Sequence, residues 1–235
     1  MKINFLQFGK KGKPIIFFHG WQKNSRSFST LVPFLYKNYR LFLLDLLGFG
    51  KSEFPPPNFS SFDYAQAIAK WIKEKRLKKA ILIGHSFGGK IAAIVAVQEP
   101  NLVSKLILIA SAGIPHPKKY YQFKKIIPSQ LIKIIPFRLR SIFASRDYKE
   151  AGKLLPIFKN IVREDLRSTF SKINIPTLII WGEKDKELSV KDGKEIHRLI
   201  KKSKLTITAG DHFPFWKNPQ KTAKLINQFI KNERD

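Results

Sequence analysis

The sequence predicts an α/β fold with a mostly parallel central sheet of about seven strands, helices on both faces and a helical lid inserted near the middle of the chain. Three observations lead to this prediction. Short apolar runs recur along the chain, helical patterns separate most of them, and one long segment has no strand pattern. Strands that alternate with helices form parallel sheets through right-handed crossovers.

Seven apolar runs are the predicted strands. Most of them are continuous rather than alternating, which is typical of strands that helices cover on both faces. A single strand-like run precedes the second strand, so we expect the sheet to be short at its first edge. In chain order the runs are INFLQF (3–8), PIIFFH (14–19), RLFLLDL (40–46), KAILIGH (79–85), KLILIAS (105–111), PTLIIWG (176–182) and KLTITA (204–209).

Three helices are predicted between or after these runs. In residues 62–75 the apolar positions fall three or four apart, and Ser60 or Ser61 is the expected N-cap. Residues 90–98 are small and apolar, as in a helix that packs on a sheet. Asn218-Pro219 predicts the start of a last helix. Its expected buried face consists of Leu225, Ile226, Phe229 and Ile230.

The segment 112–171 interrupts the alternation of strands and helices. It contains several prolines and short apolar-basic pieces but no convincing strand. A connection of this length is unusual for a loop in a compact domain. We therefore predict a helical lid over residues 112–171 and a core domain formed by residues 1–111 and 172–235. The alternative is an ordinary run of helices in the main layer.

Composition excludes several classes of function. The 235 residues include no cysteine, which excludes disulfides, thiolate catalysis and cysteine-ligated zinc. No apolar run is long enough to span a bilayer, and the first residues lack the apolar core of a signal peptide. We therefore expect a soluble, cytoplasmic protein. We also expect no cofactor and no metal, because the sequence has no phosphate-binding glycine loop, dinucleotide fingerprint or metal-spaced histidine cluster.

The charge is extreme: 44 Lys and Arg against 17 Asp and Glu give a net charge of +27. Such a charge favours nucleic acid, anionic lipid or acidic substrates as partners. The lysines, however, are spread along the whole chain, and no RNA-binding motif accompanies them. Lys, Ile, Asn and Phe are enriched together, which favours a compositional bias of the source genome. We expect no specific nucleic-acid partner, only weak adhesion to polyanions at low salt.

The stretch GHSFGG (84–89) carries the first chemical signal. Its first five residues fit G-x-S-x-G, between a predicted strand and a predicted helix. The glycines alone could form a tight turn, or Ser86 could cap the helix. The third interpretation is a nucleophile on a strained bend, with glycines that let strand and helix approach. Ser86 Oγ then projects beyond the carboxyl end of the sheet, where open α/β folds bind ligands.

A serine nucleophile needs a base, and the base needs an acid that orients it. Asp185 follows one later predicted strand, and His212 follows the next. The order Ser86, Asp185, His212 matches the order expected for a G-x-S-x-G nucleophile. We therefore predict these three residues as the catalytic triad.

Other acids remain alternatives to Asp185. Glu183 ends the same strand and is the second choice for the acid. Asp192 lies too far into the following helix, and Asp211 lies beside the base rather than across from it.

Four other histidines compete with His212. His197 lies in a basic helical stretch and is expected at the surface, whereas His116 lies in the lid and is a candidate substrate contact. His85 neighbours the nucleophile, but its side chain is expected to point away and pack. His19 is expected to form structural hydrogen bonds.

Oxyanion donors are predicted at two places. The backbone N–H of Phe87 follows the nucleophile directly, and the N–H of Trp21 follows the strand that ends in His19-Gly20. Backbone donors stabilise a developing oxyanion without reorganising. We expect the side chains of Trp21, His116 and Phe213 to line the substrate pocket.

These motifs are similar to those of the α/β-hydrolase superfamily, in its compact single-lid branch of esterases, lactonases and carbon–carbon bond hydrolases. The resemblance covers essentially the full chain. Leu47 stands where family members usually carry proline, and Lys217 where an acidic residue is frequent, but neither is in the predicted triad. Asp45 resembles a structural position of the family. The motifs are HGW (19–21), DLLGFGKS (45–52), GHSFGGKIA (84–92), WGEKD (181–185) and AGDHFPFWKNP (209–219).

The resemblance implies a serine hydrolase that cleaves carboxylic esters of small to medium apolar acyl groups through an acyl-enzyme, as a monomer or dimer. A serine nucleophile disfavours the haloalkane dehalogenases and epoxide hydrolases of this fold, which use aspartate. Lactonase, carbon–carbon hydrolase and cofactor-free haloperoxidase activities share the same triad and remain alternatives. A hydrolase-like binding or signalling protein with negligible turnover is the alternative from another class, and a polyanion-binding protein is a third.

Overall fold

Seven strands pair into one sheet in the computed structural model, which describes residues 1–115 and 152–232. The spatial order is β1-β3-β2-β4-β5-β6-β7, with β1 antiparallel to β3 and all other neighbours parallel. The predicted mostly parallel sheet of about seven strands is therefore confirmed. The strands are β1 (Phe5–Phe8), β2 (Pro14–Phe18), β3 (Arg40–Leu44), β4 (Ala80–His85), β5 (Val103–Ile109), β6 (Thr177–Gly182) and β7 (Ser203–Thr208).

Burial explains why the strand runs are continuously apolar. Every residue of β2, β4 and β6 is buried, whereas the edge strands β1 and β7 are partly exposed. Successive side chains of a strand point to opposite faces of the sheet. Ile16 and Leu82 accordingly belong to the core on one face, and Ile15 and Ile81 to the core on the other. A strand with helices on both faces has no polar side to alternate with.

Helices cover both faces of this sheet. Helices α2 to α6 pack on the face that contains Ile16, while α1, α7 and α8 pack on the face that contains Ile15. The helices are α1 (Val32–Leu35), α2 (Ser61–Glu74), α3 (Phe87–Gln98), α4 (Leu155–Ile161), α5 (Arg167–Ser171), α6 (Val190–Leu199), α7 (Pro214–Lys217) and α8 (Pro219–Lys231). Short 3₁₀ helices cover Ser25–Leu31, Pro100–Leu102 and Gly152–Leu154.

The helix starts follow local chemistry. Ser60 rather than Ser61 caps α2: Ser60 Oγ accepts a hydrogen bond from the Asp63 N–H, and Asp63 Oδ2 accepts one from the Ser60 N–H. This reciprocal pair is a capping box, which satisfies two N–H groups at the helix start. Helix α3 begins at Phe87, three residues earlier than the apolar pattern predicts, and α8 begins at Pro219 as predicted.

The predicted lid lies partly outside the described residues. Of its range, the structure describes 112–115 and 152–171, and these residues contain a 3₁₀ turn and helices α4 and α5 but no strand. Ile157, Phe158 and Phe170 pack into the same core as α2 and α3. The lid as a unit, over residues 112–171, stays a prediction. Within residues 1–115 and 152–232, no helix is both long and apolar enough to cross a membrane.

A buried ion pair connects the segment after α4 to helix α3. Lys90, which is 3% exposed on α3, donates to Glu164 Oε2 at 2.8 Å and to the carbonyl of Ile161. Glu164 Oε1 accepts a hydrogen bond from the Ser61 N–H at the start of α2. Burial lowers the pKa of Lys90, and the neighbouring Glu164 carboxylate opposes that shift. One carboxylate thus joins two helices of the core to the chain that leaves α4.

Candidate active site

Ser86 occupies a sharp bend between β4 and α3. Its backbone has φ 52° and ψ −115°, a conformation that costs free energy for a residue with a side chain. The flanking glycines allow the close approach that this bend requires. A Cβ on Gly88 would lie 2.1 Å from the carbonyl oxygen of Phe18, and one on Gly84 would lie 2.4 Å from the oxygen of Gly88. The glycines of GHSFGG therefore permit the packing of helix on strand.

The bend opens into a cleft of about 560 Å³ at the carboxyl ends of the strands. Ser86 and His212 both line this cleft, although they lie 126 positions apart in the chain. Among the described residues, the lining consists of Gly20, Trp21, Gln22, Lys23, His85, Ser86, Glu187, His212, Phe213 and Trp216.

Asp185 and His212 form a buried pair. His212 Nδ1 donates a hydrogen bond to Asp185 Oδ2 at 2.8 Å, and the Asp185 side chain is fully shielded from solvent. The other carboxylate oxygen, Oδ1, accepts hydrogen bonds from the N–H groups of Glu187 and Leu188, each at 2.9 Å. These two backbone donors hold the carboxylate in place. With Nδ1 as the donor, the lone pair of a neutral His212 lies on Nε2.

The Nε2 atom of His212 has a second carboxylate beside it, that of Glu187, which was not among the predicted site residues. Glu187 Oε2 lies 3.5 Å from Nε2, and its side chain is 58% exposed. In the described chain, no hydrogen bond joins the imidazole to Ser86 Oγ. Hydrogen bonds between catalytic groups often tighten only when substrate binds. Glu187 follows Asp185 by two residues in the same turn, and this proximity is the sequence signal that could have identified it.

The other candidate acids make different contacts. Glu183 is exposed, and its N–H donates to the carbonyl of Thr208. The carboxylate of Asp211 accepts from the Phe213 N–H and pairs with Lys217 at 3.0 Å. The Phe213 N–H and Lys217 together hold the pKa of Asp211 below its usual value. Asp192 is buried in α6.

The side chain of His85, which was expected only to pack, also makes a hydrogen bond. Its ring is 1% exposed and lies 4.6 Å from the His212 ring, centroid to centroid. Nε2 donates a hydrogen bond to the backbone oxygen of His212 at 2.8 Å, whereas Nδ1 has no partner. Burial, and next the neighbouring His212, lower the pKa of His85 well below its usual value. The ring is therefore neutral, with its proton on Nε2.

His19 makes the structural hydrogen bonds expected of it. Its Nδ1 donates to the carbonyl of Gly20 at 2.7 Å, and its Nε2 accepts from the N–H of Leu46 at 2.9 Å. Burial lowers the pKa of His19 to about 4. The ring thus joins the ends of β2 and β3 as a neutral group and fixes the loop that starts at Gly20.

This loop lies against the nucleophile. A Cβ on Gly20 would be 2.8 Å from His85 Nδ1 and 3.4 Å from Ser86 Cβ. The N–H of Phe87 is the first of α3 and has no acceptor within the helix. The N–H of Trp21 has no backbone acceptor in the described chain. The two amides predicted as oxyanion donors thus have no backbone acceptor in the described chain, and their role stays a prediction.

The predicted pocket residues have different outcomes. Trp21 and Phe213 line the cleft, and His116 lies outside the described residues. The Trp21 ring is buried against three aromatic rings, with centroid distances of 4.9 Å to Phe49, 5.3 Å to Phe87 and 5.0 Å to Phe158. Trp21 therefore presents an aromatic side chain to the cleft that contains Ser86, with three buried rings behind it.

A cation that the sequence does not reveal also lies on the cleft wall. Lys23 Nζ lies 5.4 Å from the Phe213 ring and 5.8 Å from the Trp216 ring. In a chain with so many lysines, one lysine two positions after the HGW motif gives no distinct signal. Among the described residues, no group of three or more His, Asp or Glu side chains is arranged to hold a metal ion.

Comparisons with known proteins agree with this architecture. Residues 13–135 match the family described as the alpha/beta hydrolase fold. The chain is 31% identical to the AB hydrolase superfamily protein YisY of Bacillus subtilis, over 93% of this chain and 91% of that protein. It is 30% identical to the pimeloyl-[acyl-carrier protein] methyl ester esterase of Wigglesworthia glossinidia brevipalpis, over 92% of this chain and 93% of that protein. The solved esterase of Exiguobacterium antarcticum aligns with a TM-score of 0.79 and 25% identity, over 98% of this chain and 96% of that one.

Proposed function

Because the chain belongs to the α/β-hydrolase fold family, we propose that it is a serine hydrolase that cleaves carboxylic esters of small to medium apolar acyl groups. One observation carries the proposal: His212, which donates to the buried Asp185 carboxylate, lines the same cleft as Ser86 on its strained bend. A nucleophile, a base and an orienting acid are the groups that acyl transfer to serine requires.

In the first half-reaction, His212 Nε2 removes the proton from Ser86 Oγ as the oxygen attacks the acyl carbon. Asp185 holds the ring and stabilises the imidazolium that forms. The exposed side chain of Glu187 moves aside as substrate enters. The imidazolium then protonates the departing alcohol, and the acyl group remains on Ser86 as an ester.

In the second half-reaction, water takes the place of the alcohol. His212 Nε2 removes a proton from this water, and its oxygen attacks the acyl carbon of the acyl-enzyme. The imidazolium returns the proton to Ser86 Oγ, and the carboxylic acid leaves. The amides of Trp21 and Phe87 stabilise the oxyanion in both half-reactions, and the loss of one such donor typically lowers kcat by about 10² to 10³.

The acyl pocket favours apolar chains. Trp21, Phe213 and Trp216 line the cleft with aromatic side chains, and the buried rings of Phe49, Phe87 and Phe158 pack behind Trp21. The relative from Wigglesworthia is, by its name, an esterase for a methyl ester on a medium-length acyl chain. We therefore favour esters of small alcohols over long-chain lipids.

The test is a substrate panel combined with active-site labelling. The panel contains p-nitrophenyl esters from acetate to decanoate, ethyl esters of the same acids, simple lactones and a vinylogous diketone. We expect turnover of short and medium esters, and labelling of the protein at Ser86 by a fluorophosphonate probe. Ser86→Ala should lose both.

Other results would change the proposal. A preference for lactones or for the diketone would replace the ester with that substrate class. Absence of both labelling and turnover would favour a binding protein that has kept the hydrolase fold.

A further inference from the structure

Lys23 is a half-buried cation on the wall of the catalytic cleft. It lines the same cleft as Ser86 and His212. Its backbone N–H donates to the carbonyl of Gly20 at 3.2 Å, which ties it to the loop that lies against the nucleophile. Lys23 is therefore part of the cleft wall.

Aromatic rings hold the Lys23 side chain in position. The Phe213 and Trp216 rings stack with centroids 4.1 Å apart and planes 8° apart, and Lys23 Nζ lies within 6 Å of both. The Trp216 Nε1–H donates to the carbonyl of Ser27 at 2.7 Å, which fixes the outer ring of the stack. These distances place the ammonium group beside the stack, and a cation within about 6 Å of a ring centroid can be attracted to the ring by about 0.5–1 kcal/mol. The ammonium group therefore has a preferred position beside the stack before any ligand arrives.

No carboxylate neutralises this cation within the described residues. Asp211 is taken by Lys217 at 3.0 Å, and the Glu187 carboxylate lies beside His212 Nε2 at 3.5 Å. An oriented cation in a partly desolvated cleft, without a counter-charge, interacts with an anion more strongly than an exposed lysine does. The missing counter-charge is thus available from a ligand.

We propose that Lys23 forms an anion subsite in the catalytic cleft, so that the enzyme prefers esters that carry a carboxylate or phosphate group. The inference rests on the proposed esterase function and names its substrate class. The aromatic wall at Trp21 receives the apolar chain, and Lys23 receives its charged end. Glu187 lines the same cleft and opposes the binding of an anion, so its removal should have the opposite effect to the removal of Lys23.

A matched pair of substrates tests the subsite. Monoethyl adipate and ethyl hexanoate have acyl chains of equal length and differ in the terminal carboxylate. Ethyl 6-phosphonohexanoate supplies the phosphorus oxyanion and shows which anion the subsite prefers. The quantity measured is the ratio of kcat/KM for the anionic ester to kcat/KM for ethyl hexanoate, from acid release in a pH-stat at low salt.

Lys23→Met should lower this ratio about five- to tenfold, mainly through KM, and 0.5 M NaCl should lower the wild-type ratio as well. Glu187→Gln should raise the ratio. Lys217→Met is the matched control, because Lys217 is paired with Asp211 and does not line the cleft. Its ratio should stay within twofold of the wild type. An unchanged ratio in Lys23→Met would overturn the subsite. An equal fall in Lys217→Met would overturn it as well, since that result would mean that the positive electrostatic potential of the whole protein attracts the anion.

A binding measurement separates this inference from the proposed function. Ser86→Ala should bind monoethyl adipate more tightly than ethyl hexanoate, as followed by tryptophan fluorescence, and the additional Lys23→Met change should remove the difference. If wild type hydrolyses neither ester but this binding preference exists, the esterase proposal fails and the anion subsite stands. If both esters bind equally well to Ser86→Ala, the subsite fails whatever the turnover.

Discussion

The Nε2–H of His85 donates a hydrogen bond to the backbone carbonyl of His212 at 2.8 Å, across 127 residues of sequence. Both rings are buried. His85 is the residue before Ser86, so this bond connects the nucleophile's strand directly to the loop that presents the proposed base. Asp185 orients the ring of His212, and His85 holds its backbone.

We expect His85 to act as a positioning residue. His85→Leu removes the Nε2–H donor and leaves the buried carbonyl of His212 without its hydrogen-bond partner. Such a loss typically lowers the free energy of unfolding by about 1–3 kcal/mol. The loop should then shift, so kcat on p-nitrophenyl butyrate should fall about 10- to 100-fold with KM within threefold. His85→Gln places an N–H near the position of Nε2 and should recover part of kcat. Equal kcat for the Leu and Gln variants, at matched thermal stability, would contradict this role.

Asp185 and Glu183 form a natural pair of variants. Asp185→Asn keeps the shape of the side chain but removes the charge that stabilises an imidazolium and fixes its tautomer, so kcat should fall about 10³- to 10⁴-fold. Glu183→Gln should stay within twofold, because Glu183 is exposed and His212 Nδ1 donates to Asp185 instead. Far-UV circular dichroism checks that both variants are folded. A larger loss in Glu183→Gln would reverse the assignment of the acid.

Stability should fall as the pH drops from 6.5 towards 5. Burial lowers the pKa of His19 to about 4, so the unfolded chain binds this proton more readily than the folded protein does. The stabilisation from neutral His19 is fully present above pH 6.5 and is lost progressively below it. By pH 5 the free energy of unfolding should have fallen by about 2 kcal/mol. His85, whose pKa is also lowered, acts in the same direction. Urea unfolding at several pH values measures the slope.

The exposed His197 is the control for this titration. His197→Gln should keep the wild-type slope, because His197 is exposed and the predicted slope comes from the buried His19 and His85. A free energy of unfolding that stays flat between pH 6.5 and 5 would show that the buried histidines are not neutral in the folded protein.

The contributions of Lys90 and Glu164 to the free energy of unfolding should be coupled, because the two side chains form a buried ion pair. Lys90→Met leaves an uncompensated carboxylate, and Glu164→Gln leaves an uncompensated buried ammonium, so each should cost about 3 kcal/mol of unfolding free energy. The double variant should lose clearly less than the sum. Chemical denaturation of the four proteins gives the coupling energy.

Lys70→Met is the control: it breaks an exposed pair with Glu74 and should leave the denaturation midpoint unchanged. Strictly additive losses would mean that the pair has no mutual stabilisation.

The strands could be predicted from sequence because parallel strands with helices on both faces contain few polar residues. The start of α3 could not, since Gly88 and Gly89 carry no apolar periodicity and the helix begins directly at the bend. The cap of α2 was open between two serines, and only the reciprocal bonds of Ser60 with Asp63 decide it.

At the site, Ser86, Asp185 and His212 could be predicted because each follows a strand, and the carboxyl ends of parallel strands meet at one edge of the sheet. Lys23 and Glu187 could not be predicted. Turns rather than periodic elements position them, and their residue types are ordinary in so charged a chain. The partner of His85 could not be predicted either, because a backbone carbonyl has no sequence signature.

The positive φ of Ser86 determines which residue is most stable at position 86. Conformations of this kind cost about 1–3 kcal/mol for a residue with a side chain, and glycine is largely free of that cost. Ser86→Gly should therefore be more stable than Ser86→Ala while lacking the hydroxyl. Selection for a robust fold alone would favour glycine at this position. Stability of the fold therefore does not account for serine at this position, whereas the proposed use of its hydroxyl in acyl transfer does.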